Sequence, residues 1–129
     1  MKKSLLCAAL GATLVAAPAA AKGREVPEAK PVGEAVNCLP LSQIQETRVR
    51  SDSIIDFRTS ARKWYRNTLP NSCPSLGFEE RFSYRTSLSE LCSVDMIAVL
   101  HSYGGSLQEG ARCGLGKFQP VELSKPARK

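Results

Sequence analysis

The chain has 129 residues, 18 basic and 12 acidic side chains and a formal charge of +6, and 43% of its residues are hydrophobic. That length bounds a single small domain, and the charge excess favours anionic partners only weakly, short of the dense basic cluster of a dedicated nucleic-acid protein. One histidine and five cysteines, with no C-x-x-C pair, argue against a zinc centre and against thioredoxin-like redox chemistry.

The N-terminus reads as an export signal. Lys2 and Lys3 precede an apolar run over 5–15, and AAPAAA at 16–21 has small-residue A-x-A spacing, the pattern of a cleaved secretory signal peptide. Residues 1–21 are assigned to it, with the cut after Ala21 or, alternatively, Ala19. The run is shorter than the ~20 apolar residues of a membrane helix and is interrupted by Pro18. Cys7 belongs to this segment. Cleavage removes Lys2 and Lys3, leaving 16 basic against 12 acidic residues and a charge of +4. The cleaved chain is expected to be periplasmic or secreted, with no membrane span.

Residues 22–37 are rich in Pro, Gly and charge without an apolar period and read as a disordered spacer. Residues 38–121 form the domain, and 122–129 a polar tail. Cys38, Cys73, Cys92 and Cys113 remain. An even number in a small exported chain points to two structural disulfides. Three connectivities are open. Strand parity in a simple meander favours Cys73–Cys113 with Cys38–Cys92, and nearest-neighbour pairing gives Cys73–Cys92 with Cys38–Cys113.

Strand signals follow in order. Residues 39–46 suit a short helix. ETRVR at 46–50 alternates, with Thr47 and Val49 opposite the charges, and SIIDFRT at 53–59 sets Ile55 and Phe57 opposite Asp56 and Arg58. KWYRNTL at 63–69 is aromatic and β-favouring, and the prolines of 70–74 break it. RFSYRT at 81–86 alternates, 87–91 suits one helical turn, and VDMIAVLH at 94–101 reads as a central strand covered on both faces. A Gly-rich loop at 103–110 precedes ARCGLGKFQPV at 111–121, where Gly114 and Gly116 permit a bend or a close backbone approach. The fold class is mainly β: a small antiparallel barrel or curled sheet of about six strands with little helix, stabilised by two disulfides.

Chemistry is sparse. A Ser-His-Asp site would have to use His101, and no G-x-S-x-G elbow is present. Asp52 reads as a turn residue, Asp56 as part of a solvated strand face, and Asp95 as a turn cap. Residues 114–117 (GLGK) lack the spacing of a phosphate-binding loop. No cofactor and no metal are expected. The functional lead is Arg-aromatic interleaving: Arg62, Lys63, Trp64 and Arg66 in one stretch, Arg81 and Arg85 in another, on strands of one sheet. Small barrels that bind nucleic-acid single strands use basic grooves with aromatic platforms, and the competing reading has the aromatics filling the core beneath a solvated basic face. The partner is then an anionic envelope polymer or a protein. The alternatives are a small envelope hydrolase or nuclease using Asp52, Asp56 or Asp95, and an inhibitor presenting the 103–110 loop to an extracellular enzyme.

The segments CLPLSQIQETRVRSDSIIDF, WYRNTLPNSCPSL, FSYRTSLSELCSVDMIAVL and ARCGLGKFQPV, with their CPSL, LCSVD and CGLGKF blocks, together resemble a family of small exported Gram-negative bacterial proteins known only as a domain of unknown function. The resemblance spans 38–121. It implies export and a shared framework of Cys38, Cys73, Cys92 and Cys113, and it implies no activity.

Overall fold

The computed structural model describes residues 11–13 and 25–125. The signal-peptide assignment and its cleavage site therefore lie almost wholly outside the described residues, as do residues 22–24 and 126–129.

Among the described residues, ten strands form three antiparallel sheets. The largest runs β1 (Ala29–Pro31), β10 (Phe118–Leu123), β5 (Trp64–Thr68), β4 (Ile54–Thr59) and β3 (Ile44–Val49). A second sheet orders β6 (Phe82–Tyr84), β8 (Met96–Tyr103) and β9 (Ser106–Gly114). The third pairs β2 (Cys38–Pro40) with β7 (Glu90–Cys92). Among the described residues, helix is limited to a 3-10 turn at Leu41–Gln43 and one short α-helix, α1 (Leu76–Glu79). The mainly β, antiparallel reading holds, but among the described residues the strands partition into separate sheets and none closes into a barrel.

Alternation along β4 explains the core. Ile55 and Phe57 point inward with no exposure and meet Phe118 of β10 and Ile97 and Val99 of β8. Phe57 packs edge-on against Phe118, with ring centroids 5.4 Å apart, and against Phe82 at 6.5 Å. Edge-to-face pairs contribute about 0.5–1.5 kcal/mol beyond the area they bury. Leu39, Leu69, Leu76, Leu91 and Leu115 close the cluster. Ile97 to Val99 are buried on both sides of β8, as the unbroken apolar run implied, whereas Val94 stays exposed in the preceding turn.

Several local expectations are corrected. The 22–37 segment contributes β1, because Ala29 to Pro31 pair with Val121 to Leu123 of β10, and Glu122 and Leu123 of the expected tail belong to that strand. The helix expected over 39–46 is a strand, a 3-10 turn and the start of β3. The helical turn expected at 87–91 gives way to bends and β7. The 103–110 loop is a hairpin: Gly104 (φ 55°) and Gly105 (φ 87°) make its two-residue turn, and Tyr103 pairs with Ser106. Positive φ at both central positions is the geometry that matches strand twist in a tight hairpin. The strand expected over 111–121 is divided between β9 and β10.

Gly116 sits in that division with a definite role. The Asn67 side chain, fully buried, donates to the Gly116 carbonyl (2.7 Å) and accepts from its N–H (2.8 Å). A Cβ on Gly116 would come within 2.3 Å of the Thr68 carbonyl, so the close approach requires glycine. Gly114 has open space where its Cβ would stand.

The disulfides are Cys38–Cys92 and Cys73–Cys113. The pairing is the one favoured from strand parity, but its physical reason differs. Cys38 stands directly opposite Cys92 in the two-stranded sheet, and Cys73 carries the chain after β5 onto β9. The second bridge spans 40 residues, and loop-closure entropy gives such a link about 4 kcal/mol. Replacing Cys73 and Cys113 together by serine should lower unfolding free energy by that order in urea titration; a loss near zero would mean that packing alone holds β9 against the loop.

Candidate basic face

The outward side of the five-stranded sheet gathers the charges. Register sets Arg48 of β3 opposite Asp56 of β4, and Asp56 opposite Arg66 of β5. One step along, Glu46 stands opposite Arg58, and Arg58 opposite Trp64. The Asp56 carboxylate has no exposed surface, which overturns the expectation of a solvated face there. Arg50 Nε donates to its Oδ2 at 2.9 Å. Arg66 grips it in a fork, Nε to Oδ1 at 2.8 Å and Nη2 to Oδ2 at 3.0 Å. Arg66 Nη2 also donates to the Pro27 carbonyl at 2.9 Å, tying the segment before β1 to the sheet.

Glu46 forms the second centre. Arg58 Nε donates to its Oε2 at 2.9 Å, and Arg48 Nε donates to Oε1. The hydrogen bond from Arg48, then that from Arg58, holds the Glu46 carboxyl below its ordinary value of 4.5. Four guanidiniums thus share two carboxylates, leaving two formal positive charges on this face. Trp64 lies among them, with the Arg48 guanidinium over its ring at 5.7 Å and that of Arg50 at 6.0 Å. Such cation–π contacts contribute about 0.5–1 kcal/mol at exposed sites. The Arg48 side chain is 54% exposed and that of Arg58 33%, so both retain donors facing water.

The six residues expected to form one surface are divided. Arg62, Lys63 and Trp64 line a common groove at the β4–β5 end. Arg66 is adjacent but only 13% exposed and committed to Asp56. Arg81 and Arg85 flank β6 in the other sheet, so the two Arg-aromatic stretches do not share a sheet. In the second stretch Phe82 packs on the core and the arginines face solvent, as the competing reading has it, but Tyr84 is exposed rather than core-filling. Arg48, Arg50 and Arg58 were not singled out in the sequence. Their signal was the matched alternation E-x-R-x-R, D-x-R and W-x-R on three consecutive strands, legible once hairpin register is drawn.

Asp52, Asp95 and His101 each have a structural partner. Asp52 Oδ1 accepts from the Gly77 N–H (2.8 Å), and Asp95 Oδ2 from the Cys92 N–H (2.7 Å), the turn cap expected of it. His101 Nδ1 lies 3.2 Å from Glu79 Oε1, and its ring stacks on Tyr103. Gly110 across the ladder leaves room for that imidazole, since a Cβ there would meet Nε2 at 2.4 Å. The described residues hold one cluster with metal-ligand proximity, Cys38, Glu90 and Cys92, and its sulfurs are joined to each other. No described helix is long and apolar enough to cross a membrane. The two disulfides accord with a non-reducing, extracellular-type environment.

Comparison with family models, curated proteins and solved structures finds no match to this chain.

Two outcomes follow from the ion clusters. Asp56→Ala strands two mostly buried arginines, and unfolding free energy should fall by about 3–5 kcal/mol; a urea midpoint close to that of the parent chain would contradict the clamp. For Glu46 the folded-state value is depressed, so its contribution is fully present above the ordinary carboxylate value and lost as pH falls through the lowered one. Glu46→Gln should therefore flatten the acid limb of the stability–pH curve below about pH 4.5, read by urea midpoints, and leave its slope at neutral pH unchanged.

Proposed function

We propose that the chain is an exported, disulfide-stapled binding module that holds an anionic polymer of the cell envelope against the outward face of its five-stranded sheet. The observation that carries this reading is Trp64 beneath two guanidiniums, on a face where four arginines share two carboxylates. Each carboxylate fixes the orientation of two guanidiniums and neutralises only one charge. The face is therefore pre-organised and still cationic, and an incoming anion meets N–H donors already in place. Arg48 and Arg58 contact the polymer, while Arg50 and Arg66 hold the frame. Export rests on the signal-like N-terminus and fits two disulfides. Membership of the four-cysteine exported family belongs to the same proposal.

The competing readings have less support. Asp52, Asp56 and Asp95 each serve a turn, a helix start or an arginine clamp, which leaves the hydrolase or nuclease reading without an assigned base. The 103–110 segment offered for an inhibitor is a paired hairpin.

Trp64 is the sole tryptophan, so its fluorescence reports on the face directly. Heparin should perturb that emission, with affinity falling steeply as salt rises. Arg48→Ala and Arg58→Ala should each weaken binding about fivefold, the equivalent of ~1 kcal/mol for an exposed ionic contact. Arg81→Ala/Arg85→Ala should bind as the parent does. Salt-insensitive binding, or a loss confined to the Arg81/Arg85 variant, would overturn the assignment.

A further inference from the structure

The hairpin between β4 and β5 places in a left-handed conformation a residue type that the turn itself does not require. Thr59 N–H donates to the Lys63 carbonyl (2.9 Å), and Arg62 N–H donates to the Thr59 carbonyl (2.9 Å). The three-residue connection Ser60-Ala61-Arg62 ends in the left-handed region, with Arg62 at φ 58°. Three-residue hairpins place that region at their last position, where glycine fits without steric conflict. Glycine would make the same backbone hydrogen bond. Ser75 and Glu80 also have positive φ, but they bracket α1, where the Ser75 carbonyl and the Glu80 N–H take part in the helix's own hydrogen bonds. What distinguishes Arg62 is its surroundings.

Arg62 lines a groove of about 740 Å³ together with Lys63, Trp64, Tyr65, Pro120 and Val121, a volume within the ~300–1,000 Å³ of small-molecule sites. Arg62 and Lys63 are exposed, and neither side chain has an ionic partner among the described residues. Glu122 also lines the groove, and it stands opposite Lys30 of β1. The lining combines Trp64, whose ring lies under Arg48 and Arg50, with proline, valine and Tyr65, whose side chain projects to the other side of β5. Its lip carries two cations without ionic partners among the described residues. This combination suits a ring with apolar C–H faces and an anionic substituent. It suits a nucleobase less well, because Arg48 and Arg50 already lie over the Trp64 ring.

We infer that this groove is a subsite for one acidic sugar residue of an anionic polysaccharide, with the Arg62 guanidinium held in a strained turn to contact the sugar's carboxylate or sulfate. The inference rests on the anionic-polymer reading above and adds the ligand class and the contacting residue. Arginine is the side chain suited to this, since its planar fork donates two parallel hydrogen bonds to a carboxylate or sulfate.

The test compares the parent chain with Arg62→Gly and Arg62→Lys, using a heparin oligosaccharide and an oligothymidylate of matched charge as probes, with Trp64 fluorescence and thermal melting as readouts. Arg62→Gly should melt at the same or a higher temperature, because glycine relieves the left-handed backbone. The same variant should bind heparin about fivefold more weakly, with a shallower salt dependence. Arg62→Lys should retain part of the affinity, and oligothymidylate should bind the parent more weakly than heparin does. Unchanged heparin affinity in Arg62→Gly would overturn the subsite while leaving the sheet face intact as a binding surface. Oligothymidylate binding as tight as heparin, with equal dependence on Arg62, would overturn the sugar assignment in favour of single-stranded nucleic acid. Failure of the parent chain to bind either polymer would remove the anionic-polymer reading and the subsite together.

Discussion

A carboxylate without exposed surface sits on the outward side of a sheet, and the basic face is arranged around it. Asp56 occupies the middle strand of β3, β4 and β5, where it fixes Arg50, just past the end of β3, and Arg66 of β5. Burying a carboxylate is unfavourable unless its lone pairs are met, and removing one partner leaves the others uncompensated. Three charge-assisted hydrogen bonds meet them here. The same clamp reaches further in both directions: Arg50 extends over Trp64, and Arg66 reaches the Pro27 carbonyl beside the strand that completes the sheet. One ion cluster therefore joins the edge of the fold to the half-buried Trp64.

Beneath that face the chain builds an ordinary small core and reinforces it covalently. Phe57 points the opposite way from Asp56, packs on Phe118 of its own sheet and links the two larger sheets through Phe82. Alternation along a single strand thus serves the core with one parity and the charge network with the other. Domains of this size bury a modest fraction of their surface, and the disulfides act where the ladders are weakest. One joins a two-stranded sheet of three-residue strands; the other anchors the irregular chain around Cys73 to β9.

The mainly β class, the strand alternation and the disulfide framework were legible because they follow from local patterning and from cysteine number. The partition into three sheets was not, since strand order depends on contacts between residues far apart in sequence. Propensity misled where tertiary pairing prevailed: Ala29 to Pro31 has a spacer's composition, yet β10 supplies its partner backbone. Composition likewise misread Gly104-Gly105, which looks like loop and acts as a tight turn. The basic face was half visible. Trp64 and its flanking cations stood out as a contiguous stretch, whereas Arg48, Arg50 and Arg58 are dispersed and converge only through register. Asp56 offered no sign of burial, because charge alternating with apolar residues is also how a solvated strand reads.

The central claim is that this pre-organised face, extended by the groove beside Trp64, is where an anionic polymer binds. Amide and indole N–H chemical-shift mapping of the isotope-labelled, oxidised chain during titration with a heparin oligosaccharide tests it most directly. The account predicts that the Trp64 indole resonance and the amides of Arg48, Arg58, Arg62 and Lys63 move in a saturable, salt-dependent manner, while those of β6 and its flanking arginines stay fixed. Shifts centred on Arg81 and Arg85, or spread evenly over all exposed cations, would contradict it.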